Sequence, residues 1–278
     1  MRVDLCGVRG STPAPGSAYE TFGGHTSCLA ITPKGAEVPT LILDAGTGLR
    51  DVPELLGDRP FVGTMLLTHL HWDHMQGLPF FPGGDREDSE VALALPAQPD
   101  GQGPVEVLSR AMSPPFFPVG PDELRGSWSF HSMQPGESTH EGLTVLAREI
   151  PHKGGRTFGF RVSDGEASFT YMPDHCPTNF GPGPHGYGEY HDAALELAQG
   201  SDVLIHDAQL LASEVPAEAA MGHSCGDYAV ELARLAGTRS VMLFHHRPNR
   251  TDEEIAALEA SFASPSVTAA RQGTTLRL

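Results

Sequence analysis

Thr64 to Gly77 read TMLLTHLHWDHMQG, and the way this stretch folds decides what the rest of the chain must supply. The apolar run TMLLT reads as a strand, and His69, His71, Asp73 and His74 follow it at once. Residues i and i+2 at a strand end project to one side, and the turn beyond brings Asp73 and His74 round to the same hollow. Imidazoles and a carboxylate at that density are the donors a divalent first-row metal prefers. One turn cannot supply the ligands of two ions, so partners must come from elsewhere. The candidates stand where apolar runs stop: His152 after LTVLAREIP, Asp174 after ASFTYMP and His245 after SVMLF. His245 and His246 are adjacent and face opposite ways on a continuing strand, so only one of them can join the site.

Outward from this motif, RVDLCGV, TSCLAIT and TLILD read as strands before it, and VALALP, LTVLAREI, TFGFRVS, ASFTYM, DVLIHD and SVMLF after it. Helices are expected over 49–56, 73–80, 105–112, 192–199, 227–236 and 252–262. The mixture is α/β, with helices packing on sheets. Proline and glycine punctuate the chain between Pro79 and Pro121, and PDHCPTNFGPGPHGYGEY follows Tyr171 and Met172. Residues 1–278 therefore read as one domain with loop-rich insertions near 79–128 and 173–190. Phe116, Phe117 and Trp128 in the first insertion suit core, lid or dimer contact. His175, His185 and His191 in the second read as solvated loop residues. Gly23, Gly24 and His25 suggest a turn with amides facing the site.

Thirty-five Asp and Glu against 18 Lys and Arg give a net charge of −17. That leaves no cationic surplus for a phosphate backbone, so a broad nucleic-acid face is not expected. Cys6, Cys28, Cys176 and Cys225 form no Cys-x-x-Cys pair, which points to reduced thiols in a cytoplasmic protein. MRVDLCGVRG is no secretory segment, and no apolar stretch approaches the ~20 residues needed to cross a bilayer. GTG at 46–48 lacks the remainder of a dinucleotide fingerprint.

With THLHWDH, His152, Asp174, His245 and the strand-loop LILDAGTG in hand, the chain resembles the metallo-β-lactamase superfamily, in its ribonuclease Z-like and phosphodiesterase branch. The match runs from GVRGSTP to FHHRPNRTDEE. The resemblance implies a four-layer αββα sandwich with metals at the edge between two sheets. It implies that His69, His71 and His152 bind one ion, Asp73, His74 and His245 the other, and that Asp174 bridges both. It favours His245 over His246. Asp44 matches the family's first motif and reads as a buried acceptor that orients either the loop 45–48 or a ligand histidine. In the phosphodiesterase branch an acid–histidine pair supplies a general acid, and Asp207 in LIHDAQL with His223 in MGHSCGD matches it. A homodimer is also implied.

Two divalent ions about 3.5–4 Å apart acidify a bridging water and polarise a phosphodiester for in-line attack by the resulting hydroxide. Zn is the first expectation, with Mn or Fe as alternatives. Asp73 then accepts the proton of the attacking water and His223, oriented by Asp207, protonates the departing oxygen. Lys153 and Arg156 after His152, and Arg247 after His245, are the nearby cations that could bind substrate. Only 22 positions separate His152 from Asp174, room for two strands and no RNA-gripping arm. The expected substrate is thus a small anionic phosphodiester, a cyclic nucleotide or cyclic ribose phosphate. The competing readings are a ribonuclease Z-like RNA nuclease, a lactone or thioester hydrolase, and a metal-loaded binding module without catalysis.

Overall fold

Side chains along each central strand divide between two apolar layers, and this division builds the fold. In the computed structural model, which describes residues 1–278, the first half runs β1 (Arg2–Gly7), β2 (Cys28–Thr32), β3 (Leu41–Leu43), α1 (Val52–Leu56), β4 (Val62–Leu66), α2 (Trp72–Met75), β5 (Glu90–Pro96), α3 (Pro104–Ser109) and β6 (Ser127–Met133). The second half runs β7 (Gly136–His140), β8 (Leu143–Ile150), β9 (Thr157–Ser163), β10 (Ser168–Met172), α4 (Asp192–Ala198), β11 (Val203–Asp207), α5 (Val215–Glu218), α6 (Gly226–Ala236), β12 (Ser240–Phe244), α7 (Asp252–Ser261), β13 (Val267–Ala269) and β14 (Thr275–Arg277). Two seven-stranded sheets result, in the orders β14-β1-β2-β3-β4-β5-β6 and β13-β12-β11-β10-β9-β8-β7.

Val3, Leu5, Leu29, Ile31, Leu41 and Leu43 of the first sheet meet Phe158, Phe160, Val162, Ile205, Met242 and Phe244 of the second in one shared core. Their sequence neighbours Cys6, Cys28, Ala30 and Ile42 point the other way, into a layer that includes Val52, Leu56 and Leu108 of α1 and α3. Leu204, Val241 and Leu243 likewise meet α4 and α6 on the far side. Strands buried on both faces must be apolar throughout, which is why these runs lack a clean alternation. The layers are helix, sheet, sheet, helix, as the resemblance implied. Each fully buried phenylalanine of the shared core contributes roughly 1.5–3 kcal/mol.

Two strands correct the sequence reading. Ser127–Met133 was expected to begin in a loop, yet β6 pairs in parallel with β5 along its whole length. β7, Gly136–His140, pairs with β8. Both are sheet-edge strands with exposed polar residues, so Trp128, Phe130 and Met133 are the only large apolar side chains to mark β6. The helix expected over 73–80 is shorter, α2 followed by a 3-10 turn at Leu78–Phe80. Trp128 and Phe117 pack against the outer core, whereas Phe116 is exposed. No helix is long and apolar enough to cross a membrane.

β4 on one sheet and β8, β10, β11 and β12 on the other all end at one edge of the sandwich. Arg9 pins this edge. It forms bridges with Thr26 on one side and His246 on the other. Its fully buried guanidinium donates to the carbonyls of Gly23 (2.8 Å), Arg247 (3.2 Å) and Arg250 (2.7 Å) and lies 3.6 Å from Asp252. Arg9→Met strips these carbonyls of their donor, and a loss of about 3 kcal/mol is expected, seen as a lower urea midpoint at unchanged m-value.

Candidate metal centre

β4 ends at Leu66, and Thr68–His71 turn outward before α2 reverses the chain, so the two imidazoles of His69 and His71 lie in a turn beyond the strand. Their ring centroids are 4.4 Å apart. α2 carries Asp73 and His74 back into the same hollow. The loop 45–48 clamps that helix: Ala45 N–H donates to the His74 carbonyl at 2.7 Å. A Cβ on Gly46 would fall 2.2 Å from the Asp73 carbonyl oxygen, so only glycine fits there.

His152, two residues past β8, and Asp174, two past β10, join His69 and His71 with ligand atoms within 4.8 Å of one another. Asp73, His74 and His245, the residue after β12, form a second group of that kind. Asp174 stands between the groups. Its Oδ2 is 2.9 Å from His74 Nε2 and 3.2 Å from His245 Nε2, and its Oδ1 is 3.4 Å from His152 Nε2. His245 sits at φ 57°, so the strand ends at Phe244 and the two adjacent histidines part. His246 Nε2–H donates instead to the Ala270 carbonyl at 2.8 Å, away from the group.

The outer nitrogens fix the tautomers. His74 Nδ1–H donates to Asp44 Oδ2 at 2.8 Å, His152 Nδ1–H to the Gly222 carbonyl at 2.6 Å, and His69 Nδ1–H to the Thr68 hydroxyl at 3.1 Å. Each Nε2 therefore turns a lone pair inward. Asp44, also at positive φ, accepts from Thr68 N–H, the Thr68 hydroxyl and the Tyr171 hydroxyl as well. Of the two roles foreseen for Asp44, orienting a histidine is the one observed.

The donors fit divalent ions. His69 Nε2 and Asp174 Oδ2 are buried without a hydrogen bond, and nitrogen faces nitrogen at 3.3 Å between His74 and His245 and at 3.2 Å between His71 and His152. Orphaned buried acceptors among clustered imidazoles are unfavourable unless a cation lies among them. Burial pushes His69, His71 and His152 down, toward the neutral form that ligates. Burial alone would raise Asp73 and Asp174, but the surrounding imidazoles hold both below the usual carboxylate range. For His74 burial is outweighed by Asp44, Asp174 and Asp73, which raise it well above its ordinary value. The field is one that attracts positive charge.

Beside this centre, His223 Nδ1–H donates to Asp207 Oδ2 at 3.0 Å. Asp207, fully buried at the end of β11, also accepts from the backbone N–H of His175 (3.0 Å), Gln209 (3.0 Å) and Ser224 (3.3 Å). Burial opposes the charged imidazole, yet Asp207 and then Asp174 raise His223 to about 9. Its Nε2 keeps no protein partner, and the ring lines a cleft of about 420 Å³ together with Ser11, Leu70, His71, Trp72, Asp73 and Asp174.

Other expectations fare differently. Lys153 and Arg247 do not line the cleft: Lys153 Nζ reaches the Ala220 carbonyl at 3.2 Å, and Arg247 pairs with Glu218 at 2.9 Å and Glu214 at 3.5 Å. Arg156 lies in a neighbouring hollow behind His71 and is held by Glu149 at 2.7 Å and the Ala97 carbonyl at 2.7 Å. His25 lines a separate cavity with Asp4, Glu20, Asp51 and Glu54. His175 is fully buried rather than solvated: its Nδ1–H donates to His206 Nε2 at 2.9 Å, and its Nε2 accepts from His191 at 2.8 Å. Burial pushes these imidazoles down, His191 to about 4. Sequence reasoning also missed Ser11, whose N–H donates to Asp73 Oδ2 at 2.5 Å from a positive-φ turn. Gly10 makes that turn possible, since a Cβ there would lie 2.4 Å from the His245 ring. The only trace of it in sequence is the glycine-serine pair in VRGSTP.

Residues 40–246 match the Beta-lactamase superfamily domain. The chain belongs to the metallo-β-lactamase superfamily. It is 24% identical to the Ribonuclease Z of Haloarcula marismortui over 289 residues, covering 88% of this chain and 86% of the relative. The metallo-beta-lactamase fold protein YhfI from Bacillus subtilis superposes with a TM-score of 0.70 at 17% identity, over 99% of this chain and 98% of that one. A diphosphatase from the PhnP family does so with a TM-score of 0.66 at 17% identity, over 100% and 97%. The superfamily fold implies divalent metal ions, and the cluster described above is chemically suited to them.

Asp44→Asn removes the charge that holds His74 and Thr68. Zinc affinity, read by competition with a chromophoric chelator, is expected to fall about 10–100-fold while the circular dichroism spectrum is retained. Tyr171→Phe, which withdraws one of four donors, is expected to cost far less.

Proposed function

We propose that this metal-dependent hydrolase cleaves a small phosphodiester of the cyclic nucleotide or cyclic ribose phosphate type, with His223 as general acid. The observation that carries the reading is the buried Asp207–His223 pair, whose Nε2 is free in the same cleft as Asp73 and Asp174. A carboxylate on Nδ1 holds the imidazole so that Nε2 carries the transferable proton, which a departing alkoxide requires. Acyl transfer to a lactone or thioester has less need of such a donor.

His69, His71 and His152 would hold one ion and Asp73, His74 and His245 a second, with Asp174 between them. Zn is the first choice, ahead of Mn and Fe. Bound ions supply Lewis acidity and an activated water. The chain's own groups do the rest. Asp73 accepts the water's proton, its Oδ2 steadied by Ser11 N–H. Asp207 keeps His223 protonated and aimed.

Substrate size follows from charge. No Lys or Arg lines the cleft, the chain carries −17, and only β9 and β10 separate His152 from Asp174. A long RNA would meet an uncompensated negative surface. The similarity to Ribonuclease Z over 88% of the chain favours the second reading, an RNA nuclease. We propose further that residues 1–278 are one domain, since a single core joins both sheets, and that the protein is a cytoplasmic homodimer. The four unpaired, buried thiols suit a reducing compartment. Light scattering tests the dimer.

A panel of cyclic nucleotides, ribose cyclic phosphate, precursor tRNA and lactones, each with Zn, Mn and Fe, tests the assignment. The small phosphodiesters should give the highest kcat/KM, and precursor tRNA leading the panel would replace this reading with the nuclease.

His223→Ala should lower kcat about 10²–10⁴-fold on cyclic nucleotides and far less on bis-p-nitrophenyl phosphate, whose leaving group departs without a proton. The protonated imidazole is the active form, so kcat/KM on alkoxide-leaving substrates should fall as pH rises through the His223 pKa. That alkaline limb should vanish in His223→Ala.

A further inference from the structure

We propose that Trp72 is a stacking platform for a planar ring of the substrate, the nucleobase of a cyclic nucleotide being the class that fits. This rests on the phosphodiesterase reading above and adds the part of the substrate that the metal-facing residues do not touch.

Trp72 opens α2 between His71 and Asp73 and is 72% exposed. The other tryptophan, Trp128, packs against the outer core. An indole gains most from burial, and one left in water at the wall of a cleft is available to a ligand. Its backbone is held firmly. The Trp72 carbonyl accepts from Gln76 N–H at 2.7 Å, and the Ala45 and Gly46 loop grips the helix from below.

The cleft is divided chemically. His71, Asp73, Asp174 and His223 form the titratable wall where the reacting phosphate would lie, and Trp72, Leu70 and Ser11 form the rest of its lining. No Lys or Arg lies there, and the one protonated group, His223, is committed to the departing oxygen, so a second anionic group on the substrate would find no partner. A neutral aromatic ring does find one, because its face can lie against the indole. The volume of about 420 Å³ is of the size that takes a small molecule.

Two measurements test this. With Trp72→Ala, the ratio of kcat/KM for a cyclic nucleotide to that for base-free ribose cyclic phosphate should fall about tenfold, while Trp72→Phe keeps most of it. An unchanged ratio overturns the platform and leaves the reaction assignment standing. In a Trp128→Phe background Trp72 is the sole tryptophan. Adenosine 5′-monophosphate should then quench its emission saturably in the zinc-loaded protein, and ribose 5-phosphate should not. Equal quenching by both, or by neither, overturns the platform. Saturable quenching by the nucleotide in a protein that hydrolyses no phosphodiester supports the platform and sinks only the reaction assignment.

Discussion

The carboxylate of Asp44 is the constraint on which the centre depends. It is fully buried, and a buried charge is costly unless its lone pairs are satisfied. Four donors satisfy it: the Thr68 amide and hydroxyl, His74 Nδ1–H and the Tyr171 hydroxyl. Thr68 and His74 come from the first sheet's edge and Tyr171 from the second sheet, so one side chain sets the spacing of the two sheets where the clustered imidazoles and carboxylates meet. The Thr68 carbonyl adds a second tie, accepting from Phe158 N–H of β9 at 2.9 Å.

Backbone strain collects around the same point. Ser11, Asp44 and His245 all have φ near 60° without being glycine. Each conformation costs of order 1–3 kcal/mol and persists where surroundings determine it. Here each serves the centre. Ser11 presents its N–H to Asp73, Asp44 turns back toward β4, and His245 leaves the line of β12 to bring its ring to Asp174. The shared apolar core supplies the stability against which this strain is set.

The parts legible in sequence were those encoded by consecutive residues. The central strands showed as apolar runs because they are buried on both faces, and His69 to His74 showed as a cluster because one turn delivers them. Topology was less visible. β6 and β7 lie at sheet edges, with little apolar signal to separate them from loop. His175 looked like a loop residue because its partners His206 and His191 come from 31 and 16 positions away. Arg156 looked like a phosphate ligand because the sequence does not show that the turn between β8 and β9 sets Glu149 beside it, and Arg247 because its partners Glu214 and Glu218 are distant in the chain.

The buried histidine row helps to hold Asp207 in place. With His206 Nδ1–H given to the Asp207 carbonyl at 2.8 Å, His206 Nε2 must accept from His175, and His175 Nε2 must then accept from His191. Three neutral rings thus have one consistent proton arrangement, which fixes His175 and with it the backbone N–H that it gives to Asp207. The net charge of −17 takes on its meaning at the same edge. The buried carboxylates of Asp73 and Asp174 line the cleft and no Lys or Arg does, so its field disfavours an anion unless divalent ions fill the imidazole groups. Their reversal of the field extends only about a Debye length, ~10 Å, which spans one phosphodiester and not the length of a folded RNA.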